Sequence, residues 1–417
     1  MKVAVIGAGC GGLCAAKNSI EAGLDVVIFE QTDQIGGTWV YREETTLDQF
    51  GLSVHSSMYQ GLTTKFPKEI MGYPDFPIIE GEKSFISSNE VQKFHHRYAD
   101  HFNLKSYIKF HHLVTFVTPY GESQWEVVVK DLLTNKSTTL IFNLIFVCNG
   151  HYSSSFIPKY PGQEIFRGRQ IHSHNYRSKD IFRGERILVV GAGASAFDLI
   201  SHASGVAAFV AQSHHLQEPL NFSSKKRLIQ SYPDIVHLTK DGAVFSDGSQ
   251  DTFTMIVYCT GYLYSFPFLS PDCGISIENN YVSPLYKHCI NINHPTMAFI
   301  GLCKFVMASQ LMDLQVRFAL KFFIGAKKFP SREEMLYSEK CEIRKRLCSG
   351  LRLRKIHAMG PYLDNYQQDL ANLAEIKPIK PVLLRVFKEV IEILKTDKVD
   401  LRKCNFKIID DDTYVKL

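Results

Sequence analysis

The 417-residue sequence lacks several features that would assign it to common functional classes. It has no apolar run long enough to cross a bilayer, which predicts a protein without a membrane span. Its ten cysteines are scattered, with no Cys-x-x-Cys pair and no Cys/His cluster at zinc-ligand spacing. We therefore expect no bound metal, and a disulfide reductase is disfavoured because it would need a dithiol.

Charge and repetition exclude further classes. Lys and Arg number 47 against 42 Asp and Glu, and this mild excess is dispersed, so we expect no nucleic-acid partner. There is no low-complexity tract and no solenoid-type repeat. The first predicted strand starts just after Met1, which leaves no room for a signal peptide. This predicts a soluble protein, either cytoplasmic or secreted after removal of a leader; homo-oligomer formation is left open.

Two glycine fingerprints are the most informative feature that is present. Gly7, Gly9 and Gly12 follow apolar residues 3–6, and Gly191, Gly193 and Ala196 follow apolar residues 187–190. Each follows a predicted strand and opens a predicted helix, which is the context of a dinucleotide-binding turn. Two such turns in one chain predict two bound dinucleotides with electron transfer between them.

The glycines have separate physical roles. The first allows a tight turn, the second lets the backbone approach a pyrophosphate, and the third lets the helix pack closely on its strand. Ala196 at the third position of the second turn is permitted by the looser form of the pattern. The helix N-terminus then offers free N–H groups and a positive dipole end to the phosphates.

The end of the next strand distinguishes the two nucleotides. Apolar residues 26–29 end in Glu30, at about the twenty-residue separation expected of a carboxylate that binds a ribose and repels a 2′-phosphate. The first turn is therefore predicted to hold FAD or NAD. Residues 208–211 instead end in residues 212–215, which contain no carboxylate, and the cations Lys225, Lys226 and Arg227 follow. This end favours a 2′-phosphate, hence NADP.

The order of predicted elements places the second nucleotide module inside the first. Residues 125–129 and 137–141 are typical of a hairpin, residues 144–148, 255–259 and 296–301 of buried strands, and residues 309–324 of a long helix. We predict three segments: 1–160, the first part of the first module; 161–285, the second module; and 286–417, the return to the first module with C-terminal helices.

Several longer motifs carry a family resemblance. Residues 36–39 are similar to a G-G-x-W motif, residues 166–176 to F-x-G-x-x-x-H-x-x-x-[Y/F], and residues 259–262 to the end of F-A-T-G-Y. Over nearly its whole length the chain resembles the flavin-containing monooxygenases. Because it has no apolar C-terminal tail, it looks more like the soluble insect branch, which includes the pyrrolizidine-alkaloid N-oxygenases.

The resemblance implies an α/β fold with two Rossmann-like dinucleotide-binding domains, the NADP domain inserted into the FAD domain. It implies FAD and NADPH as cofactors, and a small-molecule nucleophile and O₂ as partners. NADPH would reduce the flavin, O₂ would give a C4a-hydroperoxyflavin, and this would oxygenate a tertiary amine nitrogen or sulfide sulfur of a xenobiotic or alkaloid. The cofactor carries this chemistry, so no acid–base residue is predicted.

The resemblance also implies the site residues. Those expected to line FAD are Gly7, Gly9, Gly12, Glu30, Gly37, Thr38 and Trp39. Those expected to meet NADP are Gly191, Gly193, Ser195, Ala196, Phe197 and Asp198. Gln315 is similar to the Gln of the family's E-x-Q-x-R helix and would approach the flavin; a position in the core or on the surface of the helix is the alternative.

Two departures from the family pattern concern reactivity and cofactor choice. Lys65, in Thr64-Lys65, stands where the family has Asn, and lysine cannot accept a hydrogen bond. This predicts release of hydrogen peroxide, unless Lys65 points away and Thr64 takes over. Ser213 and His215 stand where the family has S-x-R, and neutral His binds phosphate less well than Arg. This predicts a reduced NADPH preference that is strongest at mildly acidic pH.

Two alternative functions remain. A Baeyer–Villiger-type carbonyl oxygenase has the same scaffold, but its corresponding motif ends in Trp followed by Pro or Asp, whereas Tyr176-Arg177 stand here. A non-oxygenating NADPH-dependent flavoprotein is the other alternative, which Lys65 keeps open.

Overall fold

The computed structural model describes residues 1–215, 229–396 and 401–417, which form two parallel sheets with helices on their faces. The α-helices are α1 (Cys10–Glu21), α2 (Ser88–His101), α3 (Ala194–Ala203), α4 (Ala308–Phe323), α5 (Arg332–Cys348), α6 (Leu363–Ala374) and α7 (Pro381–Thr396). The strands are β1 (Lys2–Ile6), β2 (Asp25–Phe29), β3 (Ile108–Lys109), β4 (His112–Tyr120), β5 (Gln124–Asp131), β6 (Lys136–Phe142), β7 (Leu144–Val147), β8 (Ser154–Ser155), β9 (Arg169–His172), β10 (Arg186–Val190), β11 (Phe209–Ser213), β12 (Gln230–Tyr232), β13 (Ile235–Leu238), β14 (Gly242–Phe245), β15 (Gln250–Thr252), β16 (Met255–Tyr258), β17 (Tyr262–Leu263), β18 (Ser276–Glu278), β19 (Tyr281–Ser283), β20 (Leu285–Tyr286), β21 (Ile290–Asn291), β22 (Met297–Phe299), β23 (Phe406–Ile408) and β24 (Tyr414–Lys416).

The first sheet has the strand order β20-β21-β22-β7-β1-β2-β3, and its strands from β22 to β3 are parallel. Parallel neighbours need a crossover, and α1 supplies it between β1 and β2. Residues 3–6 and 144–147 are buried without alternation. This burial explains their continuous apolar runs, because both faces of a parallel sheet are covered.

The second sheet has the order β12-β11-β10-β16-β9 and is parallel throughout. Its α3 crosses from β10 to β11 as α1 does from β1 to β2. In the chain this sheet lies between β7 and β22, yet those two strands pair with each other, with Ile145 opposite Met297. The second module is therefore inserted into the first, which confirms the predicted fold class.

Other elements predicted from the sequence are also present. β5 and β6 pair antiparallel, with Trp125 opposite Phe142, which confirms the predicted hairpin. The long helix predicted at 309–324 is α4, Ala308–Phe323. α5 begins after Ser331, whose side chain and that of Glu334 cap each other's backbone N–H groups.

Residues 264–285 connect the second sheet back to the first. Tyr264, Phe266, Phe268 and Val282 are buried against the same core as Phe299 of β22. These contacts favour an end of the second module near residue 262. The boundaries at 160 and 285 stay predictions.

Candidate functional site

One cavity of about 3450 Å³ lies at the carboxyl ends of the strands of both sheets. This is the edge at which doubly wound sheets bind ligands. The predicted site residues that line the cavity are Gly7, Gly9, Glu30, Gly37, Thr38, Trp39, Thr64, Lys65, Gly193, Ser195, Phe197, Asp198 and His215. The predicted residues that do not line it are Gly12, Gly191, Ala196, Ser213 and Gln315. The structure thus brings both glycine turns to the same cavity.

The first turn is shaped by backbone contacts that leave no room for side chains. Gly7 has φ +103°, and a Cβ there would lie 2.7 Å from the Cys148 carbonyl oxygen. A Cβ on Gly12 would lie 1.8 Å from the Gly7 carbonyl oxygen, so α1 can approach the turn this closely only with glycine. Gly9 is the N-cap of α1 and offers no side-chain cap. The first N–H groups of α1 are therefore available to a phosphate.

Glu30 is buried at the end of β2 and is held by the protein. Its Oε2 accepts the Ala8 N–H at 2.8 Å, and its Oε1 accepts the Thr32 N–H at 2.9 Å and hydroxyl at 2.8 Å. A carboxylate has about four acceptor positions, so Oε2 retains one for a ribose hydroxyl. The same carboxylate orders the glycine turn, a role that the sequence did not indicate.

Gly37, Thr38 and Trp39 form a short 3₁₀-helix facing the first turn. A Cβ on Gly9 would lie 3.5 Å from the Gly37 Cα, which places the two glycines across from each other. The Thr38 hydroxyl is buried and has no hydrogen-bond partner in the protein. A buried polar atom without a partner usually has one in the functional complex. These features fit a dinucleotide such as FAD in the first turn.

The second turn repeats the first with one difference. Gly191 has φ +117°, and a Cβ there would lie 2.5 Å from the Cys259 carbonyl oxygen. At the third position Ala196 is fully buried in the core beneath the second sheet, so α3 accommodates the methyl group that α1 excludes. A Cβ on Gly193 would meet no atom within 4 Å. The space beside Gly193 is therefore open for a pyrophosphate, as NADP binding requires.

Asp198, in the first half of α3, is the centre of a charged cluster. Its Oδ1 lies 2.7 Å from Lys65 Nζ and 2.8 Å from an Arg402 guanidinium nitrogen, and its Oδ2 accepts the Tyr59 hydroxyl at 2.5 Å. Lys65 also donates to the Ala194 carbonyl at 3.0 Å and lies over the Phe197 ring. Lys65 thus turns towards the second glycine turn, while the Thr64 hydroxyl accepts the Ile86 N–H.

Burial and pairing set the charge states in this cluster. Burial alone would raise the pKa of Asp198, but the positive charges of Lys65 and Arg402 outweigh it and hold that pKa below its usual value. Burial lowers the pKa of Lys65, and the Asp198 carboxylate offsets only part of this effect. Burial and the adjacent carboxylate raise the pKa of Tyr59, which stays a hydrogen-bond donor.

The two predicted residues at the end of β11 lie in different places, one in the protein wall and the other in the cavity. Ser213 is buried, and its hydroxyl donates to the Pro233 carbonyl at 2.7 Å. His215 is exposed in the cavity, with its Nδ1 4.0 Å from an Asp234 carboxylate oxygen. Lys225, Lys226 and Arg227 lie outside the described residues.

Gln315 is fully buried in α4, behind the wall. Its Oε1 accepts the Gly301 N–H at 3.3 Å, and its Nε2 donates to the Tyr366 hydroxyl at 2.9 Å. Since Gly301 lines the cavity, Gln315 positions the wall without lining it.

Sequence reasoning assigned no role to four residues that line this cavity. Tyr59 and Arg402 hold Asp198, and His151 and Lys304 line the wall formed after β7 and β22. His151 comes shortly after the buried strand β7, next to Asn149-Gly150. A polar residue at the carboxyl end of a buried strand is a signal in the sequence that could have identified it. Arg402 lies 204 residues from its partner, and no sequence pattern connects the two.

Across residues 1–215, 229–396 and 401–417, we find no group of three or more His, Cys, Asp or Glu side chains placed to hold a metal ion. In the same part of the chain, no helix is both long and apolar enough to cross a membrane.

Comparison with known proteins shows which family has this arrangement. The family described as "FMO-like: Flavin-binding monooxygenase-like" matches residues 1–218 and 223–393. Senecionine N-oxygenase of Tyria jacobaeae is 34% identical over 426 residues, covering 100% of this chain and 91% of that protein. The flavin-containing monooxygenase FMO GS-OX5 of Arabidopsis thaliana is 34% identical over 379 residues, covering 86% of this chain and 82% of that protein.

Solved structures agree with the family match. S-allyl-L-cysteine S-oxygenase from Allium sativum superposes with a TM-score of 0.91 at 28% identity, covering 96% of this chain and 94% of that one. Tmm from Pelagibacter sp. strain HTCC7211 superposes with a TM-score of 0.86 at 26% identity, covering 97% and 93%. The fold and the site define a flavoprotein with two dinucleotide-binding domains.

This chain belongs to the flavin-binding monooxygenase family, which confirms the predicted resemblance, and it is a flavin-dependent monooxygenase. FAD and NADPH are the cofactors of this family, as predicted. The roles of the individual site residues stay predictions.

Proposed function

We propose that this protein is an FAD- and NADPH-dependent monooxygenase that transfers one oxygen atom to the nitrogen or sulfur of a small molecule. The observation that carries the proposal is the opening of two dinucleotide turns into one cavity. The relatives include an N-oxygenase and an S-oxygenase, which supports this reaction class. For a sulfide the balance is sulfide, O₂, NADPH and a proton giving sulfoxide, NADP⁺ and water.

The chain's own residues would bind and orient the cofactors. Gly7, Gly9 and Glu30 would hold the pyrophosphate and ribose of FAD, with Thr38 near them. Gly193, Ser195 and the N-terminus of α3 would hold the pyrophosphate of NADPH. Bound FAD supplies the redox chemistry with NADPH and O₂; the C4a-hydroperoxyflavin stays a prediction from the resemblance.

The Asp198 cluster would set the distance between the two modules. Lys65 and Tyr59 come from the first module, Asp198 from the second, and Arg402 from the C-terminal segment. A carboxylate buried among these groups ties three parts of the chain together beside the second turn. We propose that Lys65 and Arg402 act here as positioning residues, and we assign no acid–base catalyst.

The test is NADPH consumption by the purified holoenzyme, with hydrogen peroxide and oxygenated product measured together, over a panel of tertiary amines, thioethers and ketones. We expect substrate-dependent consumption with N-oxide or sulfoxide formed. Lactone or ester formation from ketones would indicate a Baeyer–Villiger enzyme. NADPH oxidation that yields only peroxide with every substrate would indicate a non-oxygenating flavoprotein.

A further inference from the structure

Lys304 is a half-buried cation in the cavity wall, in the loop between β22 and α4. Its backbone is fixed on both sides, since its N–H donates to the His357 carbonyl at 2.9 Å and its carbonyl accepts the Met359 N–H at 2.8 Å. The loop begins at Ile300, which contacts the first glycine turn: a Cβ on Gly11 would lie 3.3 Å from Ile300 Cγ2. Lys304 thus stands at the strand edge that would hold the flavin.

The groups around the Lys304 ammonium do not neutralise it. Its Nζ lies 4.4 Å from the centre of the Tyr264 ring, and the Tyr264 hydroxyl donates a hydrogen bond to the Leu302 carbonyl. Burial and the Lys304 charge lower the pKa of His151 to about 3, and burial holds the pKa of His357 well below its usual value. Both rings are therefore neutral near pH 7. Burial lowers the pKa of Lys304 itself to about 8, and no carboxylate among the described residues opposes this effect.

This part of the cavity wall has positive charge only. Among the described residues that line the cavity, those from 299–312 and 349–362 include Lys304, Arg352 and Lys355, but no Asp or Glu. Arg352 and Lys355 are exposed, whereas Lys304 is half-buried. Phe305, beside Lys304, is 64% exposed and has φ +55°, a conformation that bulky side chains rarely adopt. This stretch of the wall therefore contains a cation and, at the next residue, an exposed apolar ring.

We propose that Lys304 binds an anionic group of the substrate, and that the preferred substrates are small thioethers that carry a carboxylate. This rests on the proposed oxygenase function. A carboxylate would give the ammonium the charged partner it lacks, and the apolar part would lie on Phe305. A protonated amine would be repelled by the same ammonium, so the wall favours an uncharged sulfur as the oxygen acceptor.

Three matched probes test the proposal on the holoenzyme: 3-(methylthio)propanoate, 3-(methylthio)propanamide and 3-(methylthio)propylamine. They keep the thioether and the three-carbon chain and carry a negative, a neutral or a positive polar group at the other end. We expect wild-type kcat/KM for the carboxylate to exceed that for the amide about tenfold, and the amide to exceed the amine. The gain should lie in KM. Equal values for carboxylate and amide would overturn the proposal.

Variants assign the preference to Lys304. Lys304→Met should reduce the carboxylate preference to less than twofold by raising KM for the carboxylate, whereas Lys304→Arg should retain most of the preference. Lys345→Met, which removes a charge from an exposed position on α5 outside the cavity, should retain all of it. Loss of FAD or a raised KM for NADPH in Lys304→Met would instead assign Lys304 to a cofactor and overturn the proposal.

Calorimetric binding of the same probes to the oxidised holoenzyme with NADP⁺ separates this proposal from the proposed function. If no probe yields sulfoxide but the carboxylate binds about tenfold more tightly than the amide, and Lys304→Met abolishes the difference, the anion site stands and the thioether-oxygenase function fails. If sulfoxide forms from all three probes at equal rates and with equal affinities, the function stands and the anion site fails.

Discussion

The closest backbone approach in the first turn gives a sharp prediction for Gly12→Ala. The added Cβ would lie 1.8 Å from the Gly7 carbonyl oxygen and 2.9 Å from the Gly7 carbonyl carbon. Real Cβ atoms essentially never come within 3.0 Å of a non-bonded heavy atom elsewhere in the chain, so α1 and the turn would have to separate by about 1.2 Å. Both partners are backbone, so no side chain can rotate away to relieve the contact.

The expected magnitude follows from two opposing effects. Overpacking a rigid site costs about 1–3 kcal/mol, and backbone contacts belong at the upper end of this range. Alanine in a helix recovers up to about 1 kcal/mol relative to glycine. The net cost is therefore about 2 kcal/mol. If this net cost destabilises the flavin-bound state only, FAD affinity decreases roughly 30-fold.

The assay compares Gly12→Ala with Gly193→Ala. FAD binding is measured by titrating apoprotein and following flavin fluorescence, and stability is measured by thermal unfolding with and without FAD. Gly193→Ala is the matched control, because its Cβ meets no atom within 4 Å. It should keep wild-type stability and flavin content, but it should raise the KM for NADPH because the methyl group would enter the pyrophosphate space.

Two results would refute this reasoning. If Gly12→Ala binds FAD as tightly as wild type and unfolds at the same temperature, α1 does not need its close approach to the turn. If Gly193→Ala loses flavin while its KM for NADPH is unchanged, the two turns do not have separate cofactors.

Four further predictions concern other parts of the site. Lys65→Asn should lower the peroxide released per NADPH several-fold, because asparagine can accept a hydrogen bond and Arg402 still pairs with Asp198; unchanged release would show that Lys65 does not affect coupling. His215→Arg should raise the ratio of kcat/KM for NADPH over NADH about tenfold with NADH kinetics unchanged, since a permanent charge replaces an imidazole beside Asp234; an equal change for both cofactors would argue against a 2′-phosphate contact. The kcat/KM for 3-(methylthio)propanoate should fall as pH rises through about 8, where Lys304 loses its charge, while the amide shows no such fall. His151, His357 and Tyr264 face Lys304 and stay neutral there, and Arg352 and Lys355 are exposed cations of the same wall; a pH-independent ratio would exclude Lys304 as the anion site. Arg346→Met should lower the free energy of unfolding by about 3 kcal/mol, because the buried guanidinium donates to the Ile356 and Ala358 carbonyls and to Glu342. Arg344→Met, at an exposed position of the same helix, should change the free energy of unfolding by less than about 0.5 kcal/mol.

The sequence alone determined the two nucleotide modules and the insertion of one into the other. Local chemistry decides the modules: glycines in a turn, an apolar run before it and a carboxylate such as Glu30 after the next strand act within about twenty residues. The insertion followed from the order of the predicted elements along the chain. The strands came from the same local signal, because a parallel sheet buried on both faces requires continuous apolar runs such as residues 144–147.

Tertiary structure decided which side chains meet in the cavity. Asp198 is paired with Lys65 and Arg402, which lie far from it and from each other in the chain, and no local pattern can encode such a contact. It also decided that Gln315 and Ser213 turn into the wall while His215 faces the cavity. Lys304 is an ordinary lysine in sequence. Only the fold half-buries it beside the neutral Tyr264, His151 and His357 rings, because burial depends on what packs around a residue.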